Sequence, residues 1–366
     1  MEFLTAVIGY VLFCLALLFL YRFRDSPLLR PISRLCTVCT TLTGRLLPIY
    51  LRQLIEHGIT WLLFERHCLY QVLYVVLVLV GHAVLITDVI AQLYRFSVVE
   101  NHLFVGIASL LCNGLCYALV CLTDPGVINS RNLPAYAQIY PYDGVFYKDK
   151  QCSRCMHQLP ARSKHCARCD QCVFRFDHHC VWTNCCIGGL NHAHFLFFLV
   201  SLVVMVVNAA WLSFRVLHSY TVREGLWYAQ YVGINDQLHP MDWSTLIQHL
   251  FMTFPRVVSM AVILSSVSTV LLVYFVHHVR LVLRNQTAYE YDRSRALTAV
   301  HHHMTSSLAS GYPRLKNPYK PVPGGSTWFY NRGLWANLYE VFGNETKNSL
   351  RDFRRRLPVQ MEFKTR

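Results

Sequence analysis

Between Cys152 and Cys186 the chain places eight cysteines in thirty-five residues, interleaved with His165, His178 and His179. The spacing is that of metal ligands: Cys152-x2-Cys155, then His165-Cys166-x2-Cys169-x2-Cys172, then His179 and Cys186. Zinc takes four thiolate or imidazole donors in a tetrahedron, so the donors are too many for one ion and enough for two. A disulfide framework is the alternative, but adjacent donors such as His165-Cys166 and His178-His179 suit metals better than bridges.

If each of two zinc sites takes three cysteines and a histidine, they consume Cys152, Cys155, Cys166, Cys169, Cys172, Cys186, His165 and one of the paired histidines. Asp177, the other histidine, Cys180 and Cys185 are left over. A carboxylate, an imidazole and a thiol form a complete nucleophilic set: the acid orients the imidazole, and the imidazole takes the thiol proton. A free thiol has a pKa near ~8.5 and is only slightly ionised at neutral pH, so such neighbours raise the reactive thiolate fraction. The plainer reading makes Asp177 and its histidine mere supports for metal ligands. A spare cysteine beside them favours the nucleophilic set.

The same run carries Pro160, Arg162, the tetrad Asp177-His178-His179-Cys180, Trp182, Asn184, Gly188 and Asn191. With these residues it resembles the cysteine-rich domain of the DHHC protein S-acyltransferases, or palmitoyltransferases. Further matches lie outside it: Asp124-Pro125-Gly126, Thr287-Ala288-Tyr289-Glu290, and Gly333-x3-Asn337 running to Val341-Phe342-Gly343. The resemblance implies that Cys180 carries a transient acyl thioester, that His178 is its general base and that Asp177 orients the base. It also implies one zinc on Cys152, Cys155, His165 and Cys172 and another on Cys166, Cys169, His179 and Cys186. Acyl-CoA, typically palmitoyl-CoA, is the implied co-substrate, and cysteines of membrane-associated proteins are the acceptors.

The chain departs from the family pattern twice. Cys185-Cys186 stands where the family has Asn-Cys, so either cysteine could hold metal; register with Ile187-Gly188 favours Cys186. Ala288 replaces the second threonine of the family's Thr-Thr-x-Glu. If that hydroxyl normally braces the active-site aspartate, this chain lacks one hydrogen bond, which modulates activity rather than abolishing it.

The elements that must position these residues are membrane helices. Apolar residues make up 54% of the chain and charged ones 15%, against about 25% charged in soluble domains. Residues 3–21, 69–87, 103–122, 195–217 and 257–277 are each long enough, at ~1.5 Å per residue, to cross a ~30 Å hydrocarbon core. The first reads as a signal anchor, because it is long, lacks a basic lead-in and is followed by Arg22 and Arg24.

The chain carries a formal net charge of +14. With five spans, the arginines of the segment after the first span, of the cysteine-rich region and of the tail share one face. The positive-inside rule makes that face cytosolic, a reducing compartment in which fifteen cysteines stay free of disulfides.

The expected fold is thus an all-α polytopic membrane protein of about five transmembrane helices with a small cytosolic double-zinc domain. Its parts are an anchor at 1–23, a cytosolic segment with an interfacial helix at 24–68 and a membrane hairpin at 69–122. There follow the zinc domain at 123–194, a second hairpin at 195–277 with a lumenal loop at 218–256, and a cytosolic region at 278–366. The endomembrane system is the expected location, endoplasmic reticulum or Golgi, with the plasma membrane as the alternative. Basic charge on the cytosolic face suits anionic lipid and the phosphates of acyl-CoA, without singling out an arginine. Cys112, Cys116 and Cys121 read as packing residues within a span, and His301-His302-His303 as a solvated tract.

Two rival readings belong to other classes. A catalytically inactive membrane-anchored zinc-binding interaction module would need no intact Asp177, His178 and Cys180. A nucleic-acid-binding zinc finger would need neither the spans nor a motif pinned at the bilayer.

Overall fold

The computed structural model describes residues 48–96, 101–144, 146–232, 236–307 and 328–343. The expected first span and its trailing arginines lie outside the described residues, as do the arginines at 354–356.

Four of the described helices are long and apolar enough to cross a membrane: Leu69–Arg95, His102–Leu122, His192–Arg223 and Pro255–Leu283. Each contains one of the stretches expected from hydropathy, and three run well beyond it. Hydropathy fades where polar side chains begin, whereas the backbone hydrogen bonds that define a helix continue. Rows of valine, leucine and phenylalanine along these helices stay exposed, Phe104 at 73% and Val273 at 67% among them. Lipid rather than protein covers such faces.

The described chain sorts into two compact units. Among the described residues, the first draws on 48–67, 75–96, 101–111, 203–232 and 236–270. Its core joins Leu85, Val89, Ile90 and Leu93 to Leu212, Val216, Val257 and Ala261. Leu85–Ile90 is a turn of π-helix inside the span, and Asp88 there pairs with Arg256 at 3.0 Å. The stretch expected as a lumenal loop is largely structured. After Arg223 come a 3-10 turn at Leu226–Tyr228, an antiparallel hairpin of Gln230–Val232 with Leu238–Pro240, and a helix at Trp243–Thr253. Asp242 caps that helix, its Oδ1 accepting from the Thr245 N–H at 2.8 Å. The helix expected near residues 45–66 is present at Ile49–Phe64, with Ile49, Tyr50, Leu54 and Trp61 exposed.

Among the described residues, the second unit draws on 68–74, 112–144, 146–202, 271–307 and 328–343 and holds the cysteine-rich region. Here the chain forms two short antiparallel hairpins, β1 (Lys164–Cys166) with β2 (Gln171–Val173) and β3 (His178–Cys180) with β4 (Cys185–Ile187). Three-residue strands have little core of their own; an aromatic cluster of Tyr136, Tyr140, Phe146, Tyr147 and Phe174 backs them. Tyr136 and Phe174 stack at 4.3 Å between centroids. Gly188 follows β4 where the chain passes the Pro125 carbonyl, and a Cβ there would lie 2.5 Å from that oxygen. Next to it Asn191 accepts from the Gly188 N–H at 2.9 Å and donates to the Cys186 carbonyl at 3.0 Å, tying β4 to the start of the His192–Arg223 helix.

Arg162 is fully buried and binds Glu290 through Nε at 2.8 Å and Nη2 at 2.9 Å. It also reaches the Asn285 side chain at 2.9 Å and carbonyl at 2.8 Å. Its guanidinium lies 4.9 Å from the ring centre of Tyr140 and 4.6 Å from that of Tyr330. Glu340 accepts from the Tyr140 hydroxyl and the Asn285 amide at 2.6 Å each and pairs with Arg175 at 3.1 Å. Burial pushes the Glu340 carboxyl up, but Arg175 and Arg162 outweigh it and hold it down to about 2. The stabilisation this contributes is present above the ordinary glutamate value of about 4.3 and is lost only as pH falls towards 2.

Removing one partner of a buried ion pair strands the other in low dielectric, at a cost of about 3–5 kcal/mol. Glu290→Ala is therefore expected to lower the melting temperature of the detergent-purified protein by that order of stability, read by thermal unfolding.

Candidate active and metal sites

In a strand successive side chains point to opposite faces, and cross-strand partners share a face. In β3 and β4, His179 faces Cys186, while Cys180 faces Cys185 and His178 faces Ile187. Alternation thus divides the tetrad: His179 and Cys186 point to one side, His178 and Cys180 to the other. In β1 and β2, His165 faces Cys172, and Cys166 lies on the opposite side.

Two donor clusters result, Cys152, Cys155, His165 and Cys172 in one, and Cys166, Cys169, His179 and Cys186 in the other. In each the donor atoms lie within 4.8 Å of one another. His165 Nδ1 stands 3.4 Å from the Cys155 sulfur and 3.7 Å from that of Cys172. His179 Nδ1 stands 3.6, 3.3 and 3.8 Å from Cys166, Cys169 and Cys186. Zinc with bonds of about 2.3 Å to sulfur and 2.0–2.1 Å to nitrogen has a tetrahedral sulfur–nitrogen edge of about 3.6 Å, which these separations fit.

Knuckle turns support the donors. Met156 and Asp170, directly after Cys155 and Cys169, adopt left-handed φ of 56° and 48°. Such non-glycine residues cost about 1–3 kcal/mol each, small beside the ~10–16 kcal/mol of a structural zinc site.

Cys185 belongs to neither cluster. Its sulfur contacts the Thr183 hydroxyl at 3.3 Å and the Val120 carbonyl at 3.7 Å. Of the Cys185-Cys186 doublet, strand alternation turns Cys186 and not Cys185 towards His179.

On the other face Asp177 is buried, and its Oδ2 accepts from His178 Nδ1 at 2.7 Å. That bond places the proton on Nδ1 and leaves Nε2 of the neutral ring as an acceptor. Asp177 Oδ1 accepts the backbone N–H of Ala288 at 2.8 Å, and its carbonyl accepts that of Tyr289 at 3.1 Å. The missing threonine hydroxyl therefore does not leave Asp177 unbraced, because the main chain of the 288–289 segment does the bracing. That segment begins the Ala288–Ser307 helix and is fixed by a capping box. Glu290 N–H donates to the Thr287 hydroxyl at 3.2 Å, and Thr287 N–H to Glu290 Oε2 at 2.8 Å.

The electrostatics of the trio follow from this geometry. Burial pushes the Asp177 carboxyl up, yet the His178 hydrogen bond and the surrounding imidazoles hold it well below the carboxylate range. Burial pushes the His178 imidazole down, but Asp177 and Cys180 raise it to about 10. Burial likewise raises the Cys180 thiol, and interaction with His178 outweighs it and lowers it. The neighbouring imidazole thus favours ionisation of the Cys180 thiol. Burial raises Cys185 to about 11, so the two neighbouring thiols differ.

Two histidines that sequence reasoning passed over, His192 and His278, converge with Asp177 to within 4.8 Å and are buried. Arg175 Nη1 lies 3.0 Å from His192 Nδ1. A guanidinium only donates, so neutral His192 keeps its proton on Nε2 and has no lone pair left for a cation. The group surrounds Asp177 rather than forming a third metal site. Both histidines lie just outside the stretches expected to span, 195–217 and 257–277, and fall within the longer helices His192–Arg223 and Pro255–Leu283, so hydropathy alone did not single them out.

A sequence profile described as DHHC palmitoyltransferase matches residues 145–295. The chain is 30% identical over 254 residues to Palmitoyltransferase ZDHHC4 of Bos taurus, covering 69% of this chain and 71% of that protein. The chain belongs to the DHHC palmitoyltransferase family. The protein of the same name from Rattus norvegicus is 30% identical over 63% of this chain and 64% of its own length. That from Mus musculus is 28% identical over 93% and 96%.

Metal analysis of the purified DHHC protein is expected to show one zinc fewer for Cys186→Ser, since three donors remain, and two zincs for Cys185→Asn. The reverse pattern would reassign the ligand.

Proposed function

We propose the following course for the protein S-palmitoyltransferase reaction that family membership assigns to this chain. The Cys180 thiolate attacks the thioester carbonyl of a long-chain acyl-CoA, the CoA–acyl bond breaks, and the CoA thiolate takes a proton from His178 Nε2. A cysteine of a target protein then gives its proton to the same nitrogen and attacks the Cys180 thioester, expelling the Cys180 thiolate. Asp177 keeps the proton on His178 Nδ1 throughout, so Nε2 is the atom that exchanges protons. The Asp177–His178 hydrogen bond, with Cys180 on the same strand face, carries this reading. An inactive zinc-binding module is disfavoured because it would need none of this geometry.

Zinc, in two closed four-donor sites, would hold the hairpins rather than act as a Lewis acid, since neither site offers an open position. Cys180 lies in an apolar cluster with Val120, Phe195, Phe198 and Leu199. Such surroundings favour a fatty chain over water by ~0.8 kcal/mol per methylene. Membrane topology completes the proposal: five spans, residues 123–194 in the cytosol, and the Ile49–Phe64 helix on the cytosolic leaflet. The acceptors are cytosolic cysteines of membrane-associated proteins, and the location is the endoplasmic reticulum or Golgi.

Cys180→Ser is expected to abolish hydroxylamine-sensitive labelling by radiolabelled palmitoyl-CoA while both zincs stay bound. Undiminished label would refute the assignment.

Ala288→Pro tests the brace on Asp177. Proline is tolerated at the first position of a helix, so the change deletes one N–H and little else. Losing a hydrogen bond to a charged group costs about 1.5–3 kcal/mol. Self-acylation should slow roughly 10- to 100-fold, read as the single-turnover rate with zinc content as the control.

A further inference from the structure

Cys180 and Cys185 are register partners in β3 and β4. Cross-strand partners project to one face, and both thiols lie in the same apolar cluster. Neither is a member of a metal-donor cluster, and both are free. Antiparallel partners stand about 4.5–5.5 Å apart at Cα, inside the ~4.4–6.8 Å that a disulfide spans. The Cys185 sulfur makes only two weak contacts, to Thr183 and Val120, so turning towards Cys180 gives up little. The usual family pattern has asparagine at this position, so the second thiol departs from that pattern.

We propose that Cys185 is the resolving thiol of a reversible redox pair with Cys180, the oxidant being a peroxide and the reductant a cellular thiol. The proposal rests on Cys180 being the acyl-carrying nucleophile. The Cys180 thiolate attacks one peroxide oxygen and the O–O bond breaks. Two electrons pass from sulfur to peroxide, hydroxide leaves, and a sulfenic acid forms. The Cys185 sulfur then attacks the sulfenic sulfur and the S–O bond breaks. The hydroxyl departs with the Cys185 proton as water, leaving a Cys180–Cys185 disulfide. Two equivalents of a thiol such as glutathione exchange through it, restoring both thiols and becoming oxidised themselves. A Cys180 sulfenic acid with no resolving thiol would instead proceed to sulfinic acid, which cellular thiols do not reverse. While the disulfide stands, Cys180 cannot take an acyl group.

The experiment uses the purified full-length protein in detergent: wild type, Cys185→Asn and Cys185→Ser, each treated with a several-fold molar excess of hydrogen peroxide, since sulfinic acid takes two equivalents per thiol, and then with dithiothreitol. Self-acylation, zinc content and a peptide mass map are read at each stage. Wild type should lose self-acylation, keep its zinc, yield a Cys180–Cys185 cross-linked peptide and recover on reduction. Both variants should match wild type before treatment, lose self-acylation to peroxide, carry sulfinic acid at Cys180 and fail to recover. Recovery of the variants equal to wild type would overturn the proposal, as would a cross-link from Cys180 to Cys121 in place of Cys185. If the Cys180–Cys185 cross-link forms while self-acylation persists, the redox pair stands and the assignment of Cys180 as acyl carrier falls.

Discussion

The contact on which the active site depends is the buried pairing of Arg162 with Glu290. Arg162 sits just before β1, in the cysteine-rich region, and Glu290 sits in the first turn of the helix after the last span. Their bidentate bond fixes that helix start, and the helix start supplies the N–H that braces Asp177. A buried ion pair of this kind adds little net stability over an apolar pair. What it adds is a single register, since a shift of the segment by one residue would leave the Glu290 carboxylate without its cation in the core, while Arg162 kept only Glu340 at 3.3 Å.

The network extends further by the same logic. Arg175 binds both Glu340 and His192. Asn337 donates to the Leu283 carbonyl at 2.8 Å and so closes one of the open carbonyls at the end of the Pro255–Leu283 span. Leu338 and Val341 pack on Leu196 and Val282. Polar groups specify the geometry of this corner, and the few apolar contacts seal it.

Metal and catalysis share one hairpin, and the two-residue period of the strand keeps them apart. His178 and His179 are adjacent in sequence and opposite in direction. The Nδ1 of one faces sulfur atoms, and that of the other faces a carboxylate. Donor chemistry follows: the first imidazole suits a tetrahedral cation, and the second is oriented by a carboxylate on the strand face that carries Cys180. The same period puts a second thiol beside the reactive one.

Much of this was legible in the residues themselves. Apolar runs announced the four described membrane helices because lipid imposes length and composition on whatever crosses it. Cysteine spacing announced two clusters of metal-type donors, because a knuckle turn needs ligands separated by two residues. Other features depended on residues far apart in the chain. Composition could not separate Cys185 from Cys186, whereas pairing with β3 turns only Cys186 towards His179. Ala288 read as a lost hydrogen bond because side chains are visible in a sequence and main-chain amides are not, and the brace turned out to be an amide. His192 and His278 lay just beyond the ends of the expected spans and drew no attention until folding gathered them around Asp177 from two helices. Local pattern declares which chemistry a chain carries, but orientation arises only when distant backbone segments meet, and it is orientation that assigns each group its role.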